Sequence, residues 1–287
     1  MATDVVVIGP SDSDPQALLT AAETTQALFD EMDQLFSRFR DDSELSRVNA
    51  QAGRETTVSA TFASLLGHAL RGARRTDGLF DPTILQALVA AGYDRDFDDL
   101  RRTDRTAAGP GPAGAWQAVK IEGKRLRMPL EVALDFGGVA KGWTVDRAVE
   151  RIEGLRWAVV NAGGDLRVVG VPPDDELLVG VEDPRDRRSE VARVLVAGGA
   201  IATSSVTRRS WGPGLHHLID PRTWLPAETG VLQATVWAPT CAEAEILSKW
   251  ALLSGPDALD AVPGLLVMED GRVLHSIEAV EPADVTA

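Results

Sequence analysis

Only four histidines occur in the 287 residues, and two of them stand side by side in HHLIDPRT, at His216 and His217. An imidazole near a carboxylate such as Asp220 can take a proton from a hydroxyl. An adjacent histidine pair is not by itself a metal motif. Upstream, LDFGGVAKGW (134–143) sets Asp135, two glycines and Lys141 at a helix start. Backbone N–H groups, the helix dipole and a lysine can together hold phosphate. The spacing is neither GxxxxGK[ST] nor GxGxxG. In VNAGGD (160–165) a strand runs into two glycines and Asp165. Glycine there allows close approach of a ligand, and Asp165 can hold a ribose hydroxyl, orient a neighbour or simply serve a turn. DGLFDPT (77–83) pairs a conformationally free Gly78 with Pro82, which restricts Asp81 to extended backbone. Phe80 suits stacking on a planar ring, and Asp81 suits accepting a hydrogen bond. Read alone, FSRFRDDSELSRVN (36–49) is a helix end with a capping turn from Ser43 to Ser46.

The elements that must carry these segments are legible from periodicity. The valine-rich stretch Thr3 to Ile8 reads as a strand, and Pro15 opens a helix. Leu28, Phe29, Met32, Leu35, Phe36 and Phe39 lie at helical spacing, which predicts a buried face and a helix end near Phe39. A second helix is expected over Ala60–Arg75, with Gly78 beyond its end. DRTAAGPGPAG (104–114) reads as a flexible internal loop, followed by β segments at Trp116–Ile121 and Leu126–Met128. Residues 137–152 are mostly helical in character. Strands follow at Trp157–Val160, Leu166–Val169, Leu177–Val181, Val191–Val196 and Leu232–Trp237. A helix at Ala242–Leu253 precedes a hairpin of Leu265–Met268 and Arg272–Leu274. Strands and helices do not alternate regularly, so the expected class is α+β rather than a doubly wound parallel sheet.

The net charge of −14 disfavours nonspecific binding to nucleic acid or to anionic lipid. No window approaches the roughly 18 apolar residues that span a bilayer, so no membrane insertion is expected. The single cysteine, Cys241, excludes an intramolecular disulfide. With no recognisable leader in MATDVVVIGP, this gives an expectation of a cytoplasmic protein.

Taken in order, these segments resemble the ApbE-like FAD:protein FMN transferases. The pattern is an FSxY-type segment with SELSRxN, then GxFDPT, DxGGxAKG, NAGGD, an ATS segment and HxIDPxTG, ending in an acidic helix before a hairpin. The resemblance spans about Ala2 to Gly271 and implies one α+β domain over 1–287 with mixed, mainly antiparallel sheets. It implies transfer of FMN from FAD to a serine or threonine hydroxyl of an acceptor protein bearing a flavinylation segment, with release of AMP. The alternative is a protein that binds FAD, or hydrolyses it, without labelling a partner. By the same resemblance Phe39, Leu79, Phe80, Asp81, Asp135, Lys141 and Ile219 match FAD contacts. His217 matches the base that deprotonates the acceptor, and Asp220 lies in the same turn. The Gly138 carbonyl and Glu245 match magnesium ligands.

Five positions depart from that pattern. The final helix has Glu245 and Lys249 where relatives carry an Asp and, four residues on, a Thr as metal ligands. Lys249 is therefore expected to contact phosphate, either in place of magnesium or beside a metal shifted onto Glu245, with Glu243 as a further ligand. As a bare pair they would read as a solvated i,i+4 ion pair. Ser205 replaces the glycine of a TSG segment, and Trp224 replaces the glycine of PRTG. Phe39 lacks the phenol of the usual tyrosine.

Overall fold

The structure is a computed structural model that describes residues 3–100, 115–172, 177–277 and the backbone of 280–281. The DRTAAGPGPAG stretch expected as a loop lies outside the described residues. Contacts gather the chain into two units interleaved in sequence. One comprises Asp30–Ala140 and Arg208–Glu228; the other comprises Ala2–Phe29, Lys141–Thr207 and Thr229–Ala287.

The first unit is mostly helical. It takes the end of α1 (Pro15–Phe36), then α2 (Glu44–Ala50), α3 (Ala60–Arg75) and α4 (Leu85–Ala90). The α1 helix stops at Phe36, a turn earlier than its periodicity suggests, so Phe39 lies outside it and is 37% exposed. Ser43 does not end that helix but caps a new one, accepting from the Ser46 N–H at 2.9 Å. The buried Glu44 carboxylate takes the Ser59 N–H and hydroxyl, each at 2.6 Å, and Ser59 caps α3. Apolar spacing then closes the core: Phe36, Phe62 and Phe136 pack in tilted and edge-to-face contacts with centroids 5.3–6.1 Å apart. A three-stranded sheet of Thr56–Thr57, Arg125–Arg127 and Lys120–Glu122 lies in this unit. The strand expected from Trp116 begins only at Lys120, because Ala115–Ala118 form a 3₁₀ turn. Two short hairpins, Ser210–Gly212 with Leu215–His216 and Ile219–Asp220 with Leu225–Pro226, carry the histidine segment.

The second unit is built on a seven-stranded antiparallel sheet. Its strands are β1 (Val5–Ile8), β2 (Trp157–Ala162), β3 (Asp165–Gly170), β4 (Gly199–Ser205), β5 (Val231–Ala238), β6 (Gly264–Met268) and β7 (Val273–His275). They are neighbours in that order. Alternate residues Trp157, Val159, Leu166, Val168, Ile201, Leu265 and Val267 pack against Val181, Ala192, Val194 and Val196. Those last four come from a three-stranded sheet that includes Leu177–Glu182 and Glu190–Val196. Helix α5 (Ala140–Val149) enters this unit at Lys141, and α6 (Cys241–Ser254) packs on β4 and β5. The expected α+β class with mainly antiparallel pairing is the class observed. Among the described residues no helix is long and apolar enough to cross a membrane.

Candidate functional site

The residues expected to act on the dinucleotide fall into two groups. Phe39, Leu79, Phe80, Asp81, Asp135, Gly138, His217, Ile219 and Asp220 belong to the first unit, and Lys141, Glu245 and Lys249 to the second.

In the first unit the glycine segment is tied down from several sides. The Asp135 N–H donates to the Pro82 carbonyl at 2.8 Å, and Asn49 grips Leu134 through both its N–H and its carbonyl. This accounts for the asparagine of SELSRVN, whose role the sequence did not reveal. One Asp135 oxygen accepts the Gly137 N–H at 2.8 Å. That N–H, expected to face phosphate, is used internally. The other oxygen pairs with Arg38 Nε at 3.0 Å. The Arg38 guanidinium lies 4.2 Å from the Phe39 ring centroid and 4.3 Å from that of Tyr93. Tyr93 stacks on Trp211 at 5.2 Å and packs in one cluster with Ile219 and Trp224. Phe39, Asp135 and Ile219 are thus brought together around Arg38 and Tyr93, two residues that sequence reasoning missed. Arg38 sits inside the FSRFR run, where its type was the only available signal.

Asp81 is buried, and its Oδ1 accepts the Thr83 N–H at 2.7 Å and the Thr83 hydroxyl at 2.5 Å. Burial raises its pKa from the ordinary 3.8, and the Thr83 hydrogen bonds oppose the shift. Phe80 is only 5% exposed, so little of its ring faces solvent; Leu79 beside it is half-buried. Gly78 has φ +80, and a Cβ there would meet Trp116 Nε1 at 2.8 Å, so this turn requires glycine.

His217 forms the bend between the two hairpins, and its N–H donates to the Arg209 carbonyl at 3.2 Å. Asp220 is engaged by Arg222, with contacts of 2.9 and 3.1 Å from Nε and 2.7 Å from the terminal nitrogen. Its Oδ1 also accepts the Arg222 N–H at 2.9 Å. Asp220 therefore braces the turn that follows His217. The neighbouring His216 is buried, accepts the Leu218 N–H on Nδ1 and approaches the Ala227 carbonyl through Nε2. Trp224 holds φ +62, a conformation favouring glycine, which explains why the resembling pattern has glycine there.

In the second unit Lys141 is paired with Asp165, whose other oxygen accepts the Thr203 N–H at 3.0 Å. Of the readings open for Asp165, the geometry favours orienting a neighbour. Glu245 is 1% exposed. Its Oε2 accepts the Gly142 N–H at 2.8 Å, and its Oε1 lies 3.5 Å from Lys249 Nζ and 4.0 Å from Lys141 Nζ. The Glu245–Lys249 pair is therefore not a solvated surface pair. A Cβ on Gly142 would meet the Cys241 carbonyl oxygen at 2.5 Å, so only glycine lets α5 approach the start of α6 this closely. Asp146 fixes the same junction by accepting the Cys241 and Ala242 N–H groups at 2.8 and 2.9 Å.

This donor set does not fit magnesium. A hard divalent cation needs several oxygen ligands, whereas Glu245 already serves an N–H and two ammonium groups. A unit charge 4 Å from an ammonium is repelled by about 4 kcal/mol at an effective dielectric of about 20, and a divalent ion by roughly twice that. Among the described residues no group of three His, Cys, Asp or Glu side chains could hold a metal ion.

A Treponema pallidum (strain Nichols) protein named FAD:protein FMN transferase is 29% identical over 298 residues, covering 91% of this chain and 80% of the relative. A Vibrio cholerae relative of the same name is 28% identical over 291 residues, covering 95% of this chain and 86% of its own length. The crystal structure of an ApbE protein from Thermotoga maritima superposes with a TM-score of 0.82 at 26% identity, covering 96% of this chain and 94% of that one. Residues 1–264 match the ApbE family across its segments, and this chain belongs to that family.

Proposed function

We propose that this chain transfers FMN from FAD to a serine or threonine hydroxyl of an acceptor protein and releases AMP. The observation that carries the reading is the family match over residues 1–264, together with relatives named for that reaction along most of the chain. His217 takes the proton of the acceptor hydroxyl. The hydroxyl oxygen bonds to the phosphorus of the FMN half, the phosphoanhydride bond breaks, and AMP leaves with the bonding pair. Asp220, held by Arg222, braces the hairpin turn that follows His217. Phe39, Leu79, Phe80, Asp81, Asp135 and Ile219 bind the flavin dinucleotide, and Lys141 and Lys249 supply positive charge for its phosphates. Magnesium at Gly138 and Glu245, which the family resemblance implies, has no role in this reading. The test is incubation with FAD and a partner bearing an acceptor segment. Covalent flavin fluorescence on the partner with equimolar AMP is expected, lost in His217→Ala while FAD still binds. AMP without a labelled partner would instead mean hydrolysis, and bound FAD with neither product would mean sequestration.

A further inference from the structure

We infer that the ammonium groups of Lys249 and Lys141 occupy the role of a divalent cation, so that this chain binds and cleaves FAD without magnesium. The inference rests on the FMN-transfer reading and concerns the same phosphates. Four charged groups meet in one cluster: the carboxylates of Asp165 and Glu245 and the two lysines. The carboxylate side chains are each 2% exposed, whereas Lys141 keeps 21% and Lys249 16% of its surface. An approaching ligand therefore meets ammonium rather than carboxylate, which makes the cluster a receptor for anions.

The carboxylates are also fixed in place. Glu245 Oε2 is held by the Gly142 N–H, and the Asp165 oxygens serve Thr203 and Lys141, so neither can turn two oxygens toward a metal. The hydroxyl nearest in sequence on α6 is also engaged: Ser248 is fully buried, with its Oγ 2.8 Å from Ser204 Oγ and donating to the Glu245 carbonyl at 3.0 Å. Lys249 Nζ lies 3.2 Å from that same carbonyl, so a protonated amine stands at the carboxylate and carbonyl oxygens of one helix turn. In the transfer step the charge developing on the departing AMP oxygen is met by these N–H donors, and no bond to lysine forms.

The test compares wild-type protein in EDTA and in excess magnesium, reading FAD affinity by flavin fluorescence anisotropy and, with an acceptor partner present, cleavage by AMP release. Both quantities are expected to be unchanged between the two buffers. Lys249→Met, which keeps the stem and removes the charge, is expected to weaken FAD binding by about tenfold or more in both. Lys249→Thr is expected to bind FAD better once magnesium is added. A tenfold or greater rise of wild-type affinity or AMP release on adding magnesium would overturn the inference while leaving the transferase reading intact. Failure of the wild type to bind FAD in either buffer would instead overturn the flavin reading beneath it.

Discussion

Arg38 Nε and Asp135 Oδ2 form an ion pair 3.0 Å apart, with only 9% and 8% of the two side chains exposed. Arg38 also donates to the Tyr93 carbonyl at 2.7 Å, and its second terminal nitrogen has no hydrogen-bond partner among the described residues. Removing one member of a buried pair strands the other charge in a medium that solvates it poorly. Arg38→Ala is expected to lower unfolding free energy by about 3–5 kcal/mol, measured by urea denaturation. Combining Arg38→Met with Asp135→Asn should recover part of that loss. If Arg38→Ala left stability unchanged, the pair would not be holding the glycine segment.

Gly142→Ala should destabilise although alanine is the better helix former. The added Cβ would sit 2.5 Å from the Cys241 carbonyl oxygen and 2.9 Å from the Ala242 nitrogen, both backbone atoms with little room to yield. Helix propensity favours alanine by roughly 1 kcal/mol, and forced overpacking costs about 1–3 kcal/mol or more. A lower melting temperature and a weakened Gly142–Glu245 contact are expected. A stabilised variant would show that α5 and α6 can separate freely.

Trp224→Gly sets two effects against each other. Glycine relieves the left-handed conformation at φ +62, worth about 1–2 kcal/mol. It also deletes an indole that is 9% exposed and packed with the Tyr93 and Trp211 cluster, at a cost of about 3–5 kcal/mol. A net loss of about 2 kcal/mol is expected in urea unfolding. A gain would mean that the indole contributes little packing.

The stability of the protein should fall on mild acidification through His216. An N–H can only donate, so His216 Nδ1 must accept from Leu218, which leaves the ring proton on Nε2 facing the Ala227 carbonyl. Burial lowers its pKa below the ordinary 6.5, with Ala227 and Glu228 opposing the shift. In that window the unfolded chain binds more protons than the folded one. The contribution is complete above pH 6.5 and is lost as pH falls toward the folded value. Unfolding measured from about pH 7.5 to 5.5 should show this slope, and His216→Gln should flatten it. An unchanged slope in the variant would assign the effect elsewhere.

Elements with strong periodicity were legible in the sequence. Helix α3 runs over the expected Ala60–Arg75, and α6 differs from its expected bounds by one residue at each end. The central strand β4 is not legible as a strand, because Gly199, Ala200, Ala202 and Ser204 have weak β propensity. Small side chains suit that position, since α6 packs directly on β4. Candidate chemistry was visible where glycine, aspartate and lysine recur in fixed order. Asp165 was a candidate in the sequence, though Lys141 as its partner was not. The other partners that orient those groups were not visible: Arg38 for Asp135 and Arg222 for Asp220. Each is an ordinary charged residue until tertiary contact selects it.

The pairing of β1 with β2 sets Val5 opposite Ala162 and Ile8 opposite Val159. During synthesis this early strand therefore emerges long before its only neighbour among the described residues exists, with its hydrogen-bonding groups bare. Joining such distant segments is slow and leaves an edge open to other chains in the meantime. A ribosome-bound fragment ending near residue 140 would need a chaperone or a transient local partner to keep that strand from pairing wrongly.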